Sequence, residues 1–205
     1  MTALNTSHAA TGAKATLSLW QVEAPRPGVC ELDGSGMIGR FQEKPELGTE
    51  FSNLINAGCY LIERDILSGL SEDRHSMERK VFPELAESGD MAGLAFTGYF
   101  VDAGTPESFI EAAQVCIAND RHDTGQVHGD CWLGDGSVCS GDATGSAIGA
   151  GSVIEQGAAL VDCVVLDGAR IGARAKLTRC LVGEGATISG DSELSDQVIG
   201  HGASI

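Results

Sequence analysis

The chain of 205 residues has 13 basic and 29 acidic side chains, a formal net charge of −16 at pH 7, and a hydrophobic content of 42%. The hydrophobic content excludes a wholly disordered protein, and the negative charge argues against nucleic acid as a partner. No apolar run approaches the roughly 20 residues that cross a bilayer, and the N-terminus has neither the basic flank nor the apolar block of a signal peptide. We therefore expect a cytoplasmic protein with no membrane partner.

The first 124 residues alternate between helical and strand patterns, which is typical of α/β or α+β packing. The expected elements are, in chain order, a helix at Leu4–Ala10 that ends at Gly12, a strand at Ala15–Val22, a hairpin of Gly28–Leu32 and Met37–Gln42 around the turn DGSG, a strand at Ile55–Glu63, a short helix reaching Leu70, a helix that opens at Ser76, and the run Leu94–Gly104.

A further helix begins at Thr105-Pro106, with threonine as the N-cap and proline at the first helical position. Its apolar residues Phe109, Ile110, Ala113 and Ile117 are expected on one face.

The composition changes after this helix. All five prolines lie at or before Pro106, and Trp132 is the only aromatic residue after Phe109. The polar segment Asn119–Gln126 is typical of a link between two architectures. We therefore divide the chain into a domain at 1–118, a linker at 119–127 and a second domain at 128–205.

The second domain contains an internal repeat whose units follow one another at a constant spacing without a gap, beginning at Ile148, Val165, Val182 and Ile199. An aliphatic residue recurs every six positions within each unit, as in Ile148, Ile154 and Leu160. A glycine recurs in one column, at Gly151, Gly168, Gly185 and Gly202, and an earlier unit from Leu133 is out of phase by two positions.

The seven cysteines are scattered and never arranged as CxxC, so we interpret them as reduced thiols rather than a disulfide framework or a zinc site. Cys163 and Cys180 share one column of the repeat. Packing in the core is the favoured interpretation for this pair, with a metal site as the alternative.

The hexads resemble the hexapeptide repeat of left-handed parallel β-helices, and the resemblance covers Leu133 to Ile205. Each coil of such a fold buries apolar surface only against its neighbours. The last coil stops at Ile205, so we expect an open edge that is covered by a partner or by a further segment.

Five patterns of the first half resemble the C-terminal part of the sugar-1-phosphate nucleotidyltransferases, or NDP-sugar pyrophosphorylases. They are RPGVCELD from Arg26, FQEKP from Phe41, SNLINAGCY from Ser52, SMERKVFPEL from Ser76 and GYFVDAGTPESFIEA from Gly98. Together with the β-helix, they resemble the mannose-1-phosphate guanylyltransferase branch. The implied fold is α/β, the C-terminal part of a Rossmann-like nucleotidyltransferase domain followed by a left-handed parallel β-helix.

The resemblance implies transfer of a nucleotidyl group from a nucleoside triphosphate to a sugar 1-phosphate, with Mg²⁺ as cofactor. It implies that Lys44 holds the phosphate of the sugar and that Asp102 is a ligand of the metal. The other implied substrate-binding residues are Gly28, where the backbone approaches the sugar, Glu43, which accepts hydrogen bonds from sugar hydroxyls, Asn56 and Phe100. Pro27 stands where the family commonly has an aromatic residue, and Phe100 replaces a frequent tryptophan, so the identity of the sugar stays open.

Each assignment has a structural alternative. Asp102 could favour the dipole of the helix that opens at Thr105, Glu43 and Lys44 could be a solvated charge pair, and Asn56 could satisfy the backbone at a strand edge. His8, His75, His122, His128 and His201 are isolated in polar surroundings, which favours surface roles.

The family's glycine-rich nucleotide loop, of the form GxGTR, does not occur in the 205 residues. We therefore expect an N-terminally truncated enzyme that is inactive alone and that assembles through its β-helix, as a homo-oligomer or with another subunit. Two other classes stay open. One is a noncatalytic regulatory subunit of a pyrophosphorylase complex, and the other is an acyltransferase with His201 as its base.

Overall fold

A computed structural model describes residues 2–23, 28–71 and 76–205 of the chain. It divides into two compact units, Met1–Phe100 and Val101–Ile205. Arg26, Pro27 and His75 lie outside the described residues. In the described ranges, no helix combines the length and the apolar character that crossing a membrane requires.

The first unit is built on a five-stranded mixed sheet in the order β3-β2-β4-β1-β5. Only the pair β1 and β5 is parallel, and the other neighbours run antiparallel. The elements are α1 at Thr2–Thr11, β1 at Ala15–Gln21, β2 at Val29–Leu32, β3 at Ile38–Gln42, β4 at Leu54–Ile62, α2 at Arg64–Ser68, a π-helical turn at Met77–Val81, α3 at Phe82–Glu87 and β5 at Met91–Ala95.

The predicted hairpin of β2 and β3 is confirmed, and Asp33 explains its turn. One carboxylate oxygen of Asp33 accepts hydrogen bonds from Ser35 N (2.8 Å), Ser35 Oγ (2.7 Å) and Met37 N (2.9 Å). Gly36 supplies the positive φ of 87° that the turn needs. The hydrogen bond from the Ser35 side chain, with those from the backbone, lowers the pKa of Asp33.

The core of this unit lies between the sheet and α3. Leu17, Leu19, Ile38, Met91 and Phe82 are fully buried there. Each such side chain contributes about 1.5–3 kcal/mol by leaving water.

Two expectations for the first unit need correction. The run Leu94–Gly104 is strand only up to Ala95, and residues 96–104 form neither helix nor strand. His8 was expected at the surface, but its side chain is only 14% exposed. Its ring lies 2.8 Å from the Thr16 hydroxyl and 3.2 Å from Glu63, so it joins α1 to the sheet.

The second unit begins with α4 at Pro106–Ala118. The predicted N-cap is confirmed, because Thr105 and Ser108 exchange the hydrogen bonds of a capping box. Ile110 is buried as expected, but Phe109 is 43% exposed.

Gln114 explains which face of α4 turns inward. Its amide nitrogen donates to Asp162 (2.7 Å) and to the carbonyl of Gly145 (3.1 Å), two corner residues of the coils that follow.

The rest of the second unit is a parallel β-helix, as predicted. Three sheets form its sides, in the orders β19-β16-β13-β10-β7-β6, β17-β14-β11-β8 and β18-β15-β12-β9. The strands are β6 at Gln126–His128, β7 at Cys131–Leu133, β8 at Val138–Cys139, β9 at Asp142–Thr144, β10 at Ala147–Ile148, β11 at Val153–Ile154, β12 at Ala159–Val161, β13 at Val164–Val165, β14 at Arg170–Ile171, β15 at Lys176–Thr178, β16 at Leu181–Val182, β17 at Thr187–Ile188, β18 at Glu193–Ser195 and β19 at Val198–Ile199.

The register of the coils follows the repeat. Ile148 pairs with Val165, and Ile154 pairs with Ile171, so each residue lies beside its equivalent in the next unit. In the first coil Leu133 pairs with Ile148, a shorter spacing that confirms the predicted offset of two positions. Strand β6, which starts inside the segment predicted as a linker, pairs antiparallel with β7.

Cys163 and Cys180 are fully buried in the core of the β-helix, which confirms the packing interpretation. All seven cysteines are free thiols. In the described part of the chain, no three side chains of histidine, cysteine, aspartate or glutamate are grouped to hold a metal ion.

In the coils that begin at Ile148, Val165 and Val182, each of the three corners has backbone with positive φ. One column uses glycine throughout, with φ of 64–67° from Gly151 to Gly202. The other two columns begin with glycine, at Gly145 and Gly157, and then use charged residues with φ of 49–61°: Asp162, Arg179 and Asp196 in one, Arg174 and Asp191 in the other. Side chains rarely adopt this conformation, so these corners are strained.

The second, third and fourth coils begin at Ile148, Val165 and Val182. Ion pairs join the third coil to the fourth at the strained corners. Arg174 donates two hydrogen bonds to Asp191 (2.7 and 2.6 Å), and Arg179 donates two to Asp196 (2.6 Å each). Lys176 lies 2.6 Å from Glu193 on the side between these corners. The hydrogen bond from Arg174 lowers the pKa of Asp191. The stabilisation by this ion pair is therefore lost as the pH falls through that lowered pKa. The pairs are exposed, and each stabilises only weakly.

The strain at Arg174 can be tested by comparing two substitutions. Arg174→Gly and Arg174→Ala both remove the ion pair, but only glycine tolerates the φ of 60° without strain. We expect Arg174→Gly to melt a few degrees higher than Arg174→Ala in thermal unfolding followed by circular dichroism.

Arg170 is the matched control, because it also pairs with a carboxylate, that of Glu155, but lies in strand β14. There the order should be reversed, with alanine the more stable. The same order at both positions would contradict the strain at Arg174.

The buried thiol of Cys163 predicts a loss of stability at high pH. Burial raises its pKa to about 11 from the ordinary 9.0. The unfolded chain ionises first, so stability is complete below pH 9 and declines as the pH rises towards 11, by about 1 kcal/mol at pH 10. Cys163→Ala should therefore reduce the difference in urea unfolding free energy between pH 8 and pH 10 by about 1 kcal/mol. A further part of the difference should remain, because burial raises the pKa of the Cys30 thiol to about 12. Cys116→Ala, at an exposed position, should leave the difference as in the wild type.

Candidate functional site

Three of the predicted substrate-binding residues meet in one row across the sheet, at the ends of β2 and β3 and beside β4, which continues past them. Gly28 immediately precedes β2, Glu43 immediately follows β3, and Asn56 lies in β4. Val29 pairs with both Gln42 and Ile55, so these three residues form the next row across the strands. The Asn56 N–H donates to the Gly28 carbonyl (2.8 Å), which closes that row.

The side chain of Asn56 is held by a bulge in β4. Leu17 pairs with Tyr60 and Leu19 pairs with Asn56, so the residues between them on β4 outnumber those on β1. Asn56 Oδ1 accepts a hydrogen bond from Gly58 N (3.0 Å), and Gly58 has a φ of 77°. Within the described ranges, no hydrogen bond from the Asn56 Nδ2 is found.

Lys44 has an unusual backbone conformation. Its φ is 46°, and it is the only non-glycine residue with positive φ among the described residues of the first unit. It also precedes Pro45, which already restricts its conformations. Such strain is concentrated at functional sites. The side chain is exposed, so its ammonium group is accessible to an anion.

Glu43 is partly buried beside Gly28. A Cβ atom on Gly28 would lie 3.1 Å from Glu43 Oε2. The carboxylate therefore lies against the Gly28 backbone, one residue before Lys44. The Glu43 carboxylate can accept hydrogen bonds and the Lys44 ammonium can donate them. Together they suit a ligand that carries both hydroxyl groups and a phosphate.

Asp102 lies in the second unit, in the exposed segment that leads to α4. Its carboxylate leans towards Gly104, where a Cβ would lie 3.5 Å from Oδ1. One exposed carboxylate does not form a metal site by itself. It does fit Mg²⁺, which often takes one or two carboxylates and fills its remaining positions with water and substrate phosphates.

Phe100 packs in an aromatic group with Trp20, whose ring centre is 5.9 Å away, and Trp20 in turn packs on Phe96 at 4.9 Å. These contacts give Phe100 a packing role. Its assignment to substrate binding stays a prediction.

Sequence reasoning missed Phe41. Its ring is 6% exposed and occupies the space directly in front of Gly28, where a Cβ would lie 2.6 Å from its Cζ. The signal was present in the FQEKP pattern, because residues two apart on a strand share a face and Phe41 and Glu43 therefore lie on the same side.

His201, the weak acyltransferase candidate, has a structural contact. Its Nδ1 accepts a hydrogen bond from the backbone N–H of Glu184 (3.0 Å), in the adjacent coil.

Comparison with known families matches two models to the chain. Residues 1–119 match the nucleotidyl transferase model, and residues 112–201 match the model of the GlmU-like C-terminal hexapeptide domain.

Individual relatives match as well. The chain is 29% identical over 183 residues to a probable mannose-1-phosphate guanylyltransferase 3 of Oryza sativa subsp. japonica, covering 82% of this chain and 49% of the relative. It is 33% identical over 178 residues to a mannose-1-phosphate guanylyltransferase of Mycobacterium tuberculosis, covering 81% and 48%. It is 33% identical over 116 residues to the mannose-1-phosphate guanylyltransferase catalytic subunit beta of Drosophila melanogaster, covering 56% and 31%.

The chain thus spans about half the length of the first two of these relatives. The nucleotidyl transferase model covers more than half of the chain, the five sequence patterns lie within the region it matches, and a parallel β-helix follows. The chain belongs to the nucleotidyl transferase family.

Proposed function

We propose that this chain carries the sugar-1-phosphate side of a nucleotidyl transfer, in which GTP and mannose 1-phosphate give GDP-mannose and pyrophosphate. An oxygen of the sugar phosphate forms a bond to the α-phosphorus, and the bond from that phosphorus to the oxygen bridging the α- and β-phosphates breaks. The observation that carries the proposal is the meeting of Gly28, Glu43 and Asn56 in one row across the sheet, next to the strained Lys44. The names of the relatives support the choice of mannose and guanosine.

The residues have complementary roles in this proposal. The Lys44 ammonium binds the phosphate of the sugar, which holds the attacking oxygen in place and offsets the repulsion between two anions. The Glu43 carboxylate accepts hydrogen bonds from sugar hydroxyls, and the Asn56 Nδ2 donates to a sugar or phosphate oxygen. The short row across β2, β3 and β4 fixes the three backbones relative to one another.

Asp102 would hold Mg²⁺ as its one carboxylate ligand from the described chain. When bound, the metal would stabilise the negative charge that develops on the phosphates. The exposure of Asp102 leaves its oxygens accessible for this role.

Self-association through the β-helix, or assembly with another subunit, belongs to the same proposal. It is supported by the match to a hexapeptide domain and by the name of the Drosophila relative, which is called a catalytic subunit. Synthesis of the activated sugar in the cytoplasm is proposed with it.

The direct test is isothermal titration of mannose 1-phosphate, GDP-mannose and inorganic phosphate into the 205-residue chain with Mg²⁺, and into the longest protein that its gene encodes. Binding of mannose 1-phosphate, with turnover of GTP in the longer form, is the expected result. A complete lack of binding by both forms would refute the proposal and favour a noncatalytic scaffold.

The roles of Lys44 and Asp102 predict different kinetic effects. Lys44→Met should weaken binding of mannose 1-phosphate and of inorganic phosphate by about a hundredfold, because both ligands lose the cation. Asp102→Ala should lower turnover of an active form by about a thousandfold. Arg40, which stacks on the Phe51 ring with its Cζ 3.9 Å from the ring centre, offers a control, since Arg40→Met should change neither. Turnover of Asp102→Ala within about fivefold of the wild type would contradict the assignment.

The structural role of the Asn56 Oδ1 and the binding role of its Nδ2 can be tested separately. Asn56→Asp keeps an Oδ1 acceptor for Gly58 N–H but replaces the Nδ2 donor with a negative oxygen. We expect a melting temperature near that of the wild type and a loss of affinity for mannose 1-phosphate of about tenfold or more.

Asn56→Ala removes both the Oδ1 acceptor and the Nδ2 donor, and should also lower the unfolding free energy by about 1 kcal/mol. Unchanged affinity in Asn56→Asp would show that Asn56 serves the bulge alone.

A further inference from the structure

The family resemblance explains Gly28 by a close approach of the sugar to the backbone, but the structure gives this glycine another neighbour. A Cβ on Gly28 would lie 2.6 Å from Cζ and 3.1 Å from Cε2 of Phe41, and 3.1 Å from Oε2 of Glu43. The space beside the Gly28 Cα is therefore already filled from within the protein, by the ring and the carboxylate together.

The Phe41 ring cannot easily move away. It is 6% exposed, and it packs edge-on against the fully buried Phe82, with ring centres 5.5 Å apart at an angle of 75°. Tyr60 also packs edge-on against Phe82, at 5.3 Å. Phe82 begins α3, so the Phe41 ring is supported by the core of the first unit.

Among the described residues, the contacts that a Cβ at position 28 would make with Phe41 and Glu43 are the obstacle to a side chain there.

We propose that Phe41 is a positioning residue for the Glu43 carboxylate, and that position 28 is glycine because the ring and this carboxylate share the space in front of its Cα. Only the effect of this placement on the binding of a sugar phosphate rests on the proposed function. Phe41, Gly28 and Glu43 then act as one unit, in which the core fixes the ring, the ring limits the side chain of Glu43, and the glycine leaves room for both.

The test uses the full 205-residue chain with three variants, Gly28→Ala, Phe41→Leu and the double variant, titrated with mannose 1-phosphate and with inorganic phosphate. Gly28→Ala should displace Glu43 and weaken binding of mannose 1-phosphate about tenfold, equivalent to about 1.4 kcal/mol. Its affinity for inorganic phosphate, which needs Lys44 but no sugar contact, should stay within about twofold. Loss of both affinities to the same degree would mean general damage to the site and would overturn the inference.

The double variant supplies the decisive comparison, because Phe41→Leu removes the ring atoms that a Cβ at position 28 would meet. We expect Gly28→Ala in the Phe41→Leu background to cost less than about threefold in affinity. An equal cost in both backgrounds would overturn the inference. Gly39→Ala is the matched control, since Gly39 lies in strand β3, has no positive φ and has open space around its Cα.

A readout without ligand separates this inference from the proposed function. In the wild type, nuclear Overhauser contacts should join the Phe41 ring to the Gly28 Hα and the Glu43 side chain, and Phe41→Leu should shift the Glu43 carboxyl ¹³C resonance. If the wild type shows these contacts but binds no sugar phosphate, the proposed function fails and the positioning role stands. If the contacts are missing, or if Phe41→Leu leaves the Glu43 resonance unchanged, the positioning role fails whatever the chain binds. This measurement also decides the case if Gly28→Ala does not fold.

Discussion

The second unit depends on contact between successive coils. A single coil has three sides of two or three strand residues each, too short to form a core. Ile154 is buried because Cys139 and Ile171 lie in the same column of the coils before and after it, and Leu160 because Ala143 and Leu177 do. The constant spacing of the repeat keeps these columns aligned from the second coil to the fourth. The corners must turn the chain from one side to the next over a very short stretch, which explains why the second, third and fourth coils have backbone with positive φ at the same places.

The candidate site of the first unit also depends on contacts between residues that are distant in the sequence. Its candidate site lies at the ends of β2 and β3, beside β4, and the backbone hydrogen bond from Asn56 to Gly28 fixes the distance between β4 and β2. The core reaches the site through Phe82 and Phe41, so an exposed part of the sheet is supported by buried side chains. A rigid aromatic contact places a side chain more reproducibly than a flexible loop does.

Local patterns predicted much of this structure. The repeat predicted the columns and the short first coil, the segment DGSG from Asp33 predicted the hairpin turn, and Thr105-Pro106 predicted the N-cap of α4. Features that depend on contacts between distant residues were missed. The inward face of α4 is set by the hydrogen bonds from Gln114 to Asp162 and Gly145, so amphipathic spacing alone misplaced Phe109. In the site, the patterns singled out Gly28, Glu43 and Asn56 individually, but the filling of the space at Gly28 by Phe41 could not be derived without the pairing of β2 with β3.

The charges of the β-helix limit how such a fold can change by duplication. All of its lysines and arginines belong to the third coil, which lies between a second coil that bears Glu155 and Asp162 and a fourth that bears Asp191, Glu193 and Asp196. Copying the third coil in tandem would keep the aliphatic columns intact but would stack Arg174 on a second arginine in a corner that already has strained backbone. Copying the third and fourth coils together would preserve the alternation of charge. Duplication of a pair of coils therefore suits this β-helix better than duplication of one coil, although its apolar core repeats with every single coil.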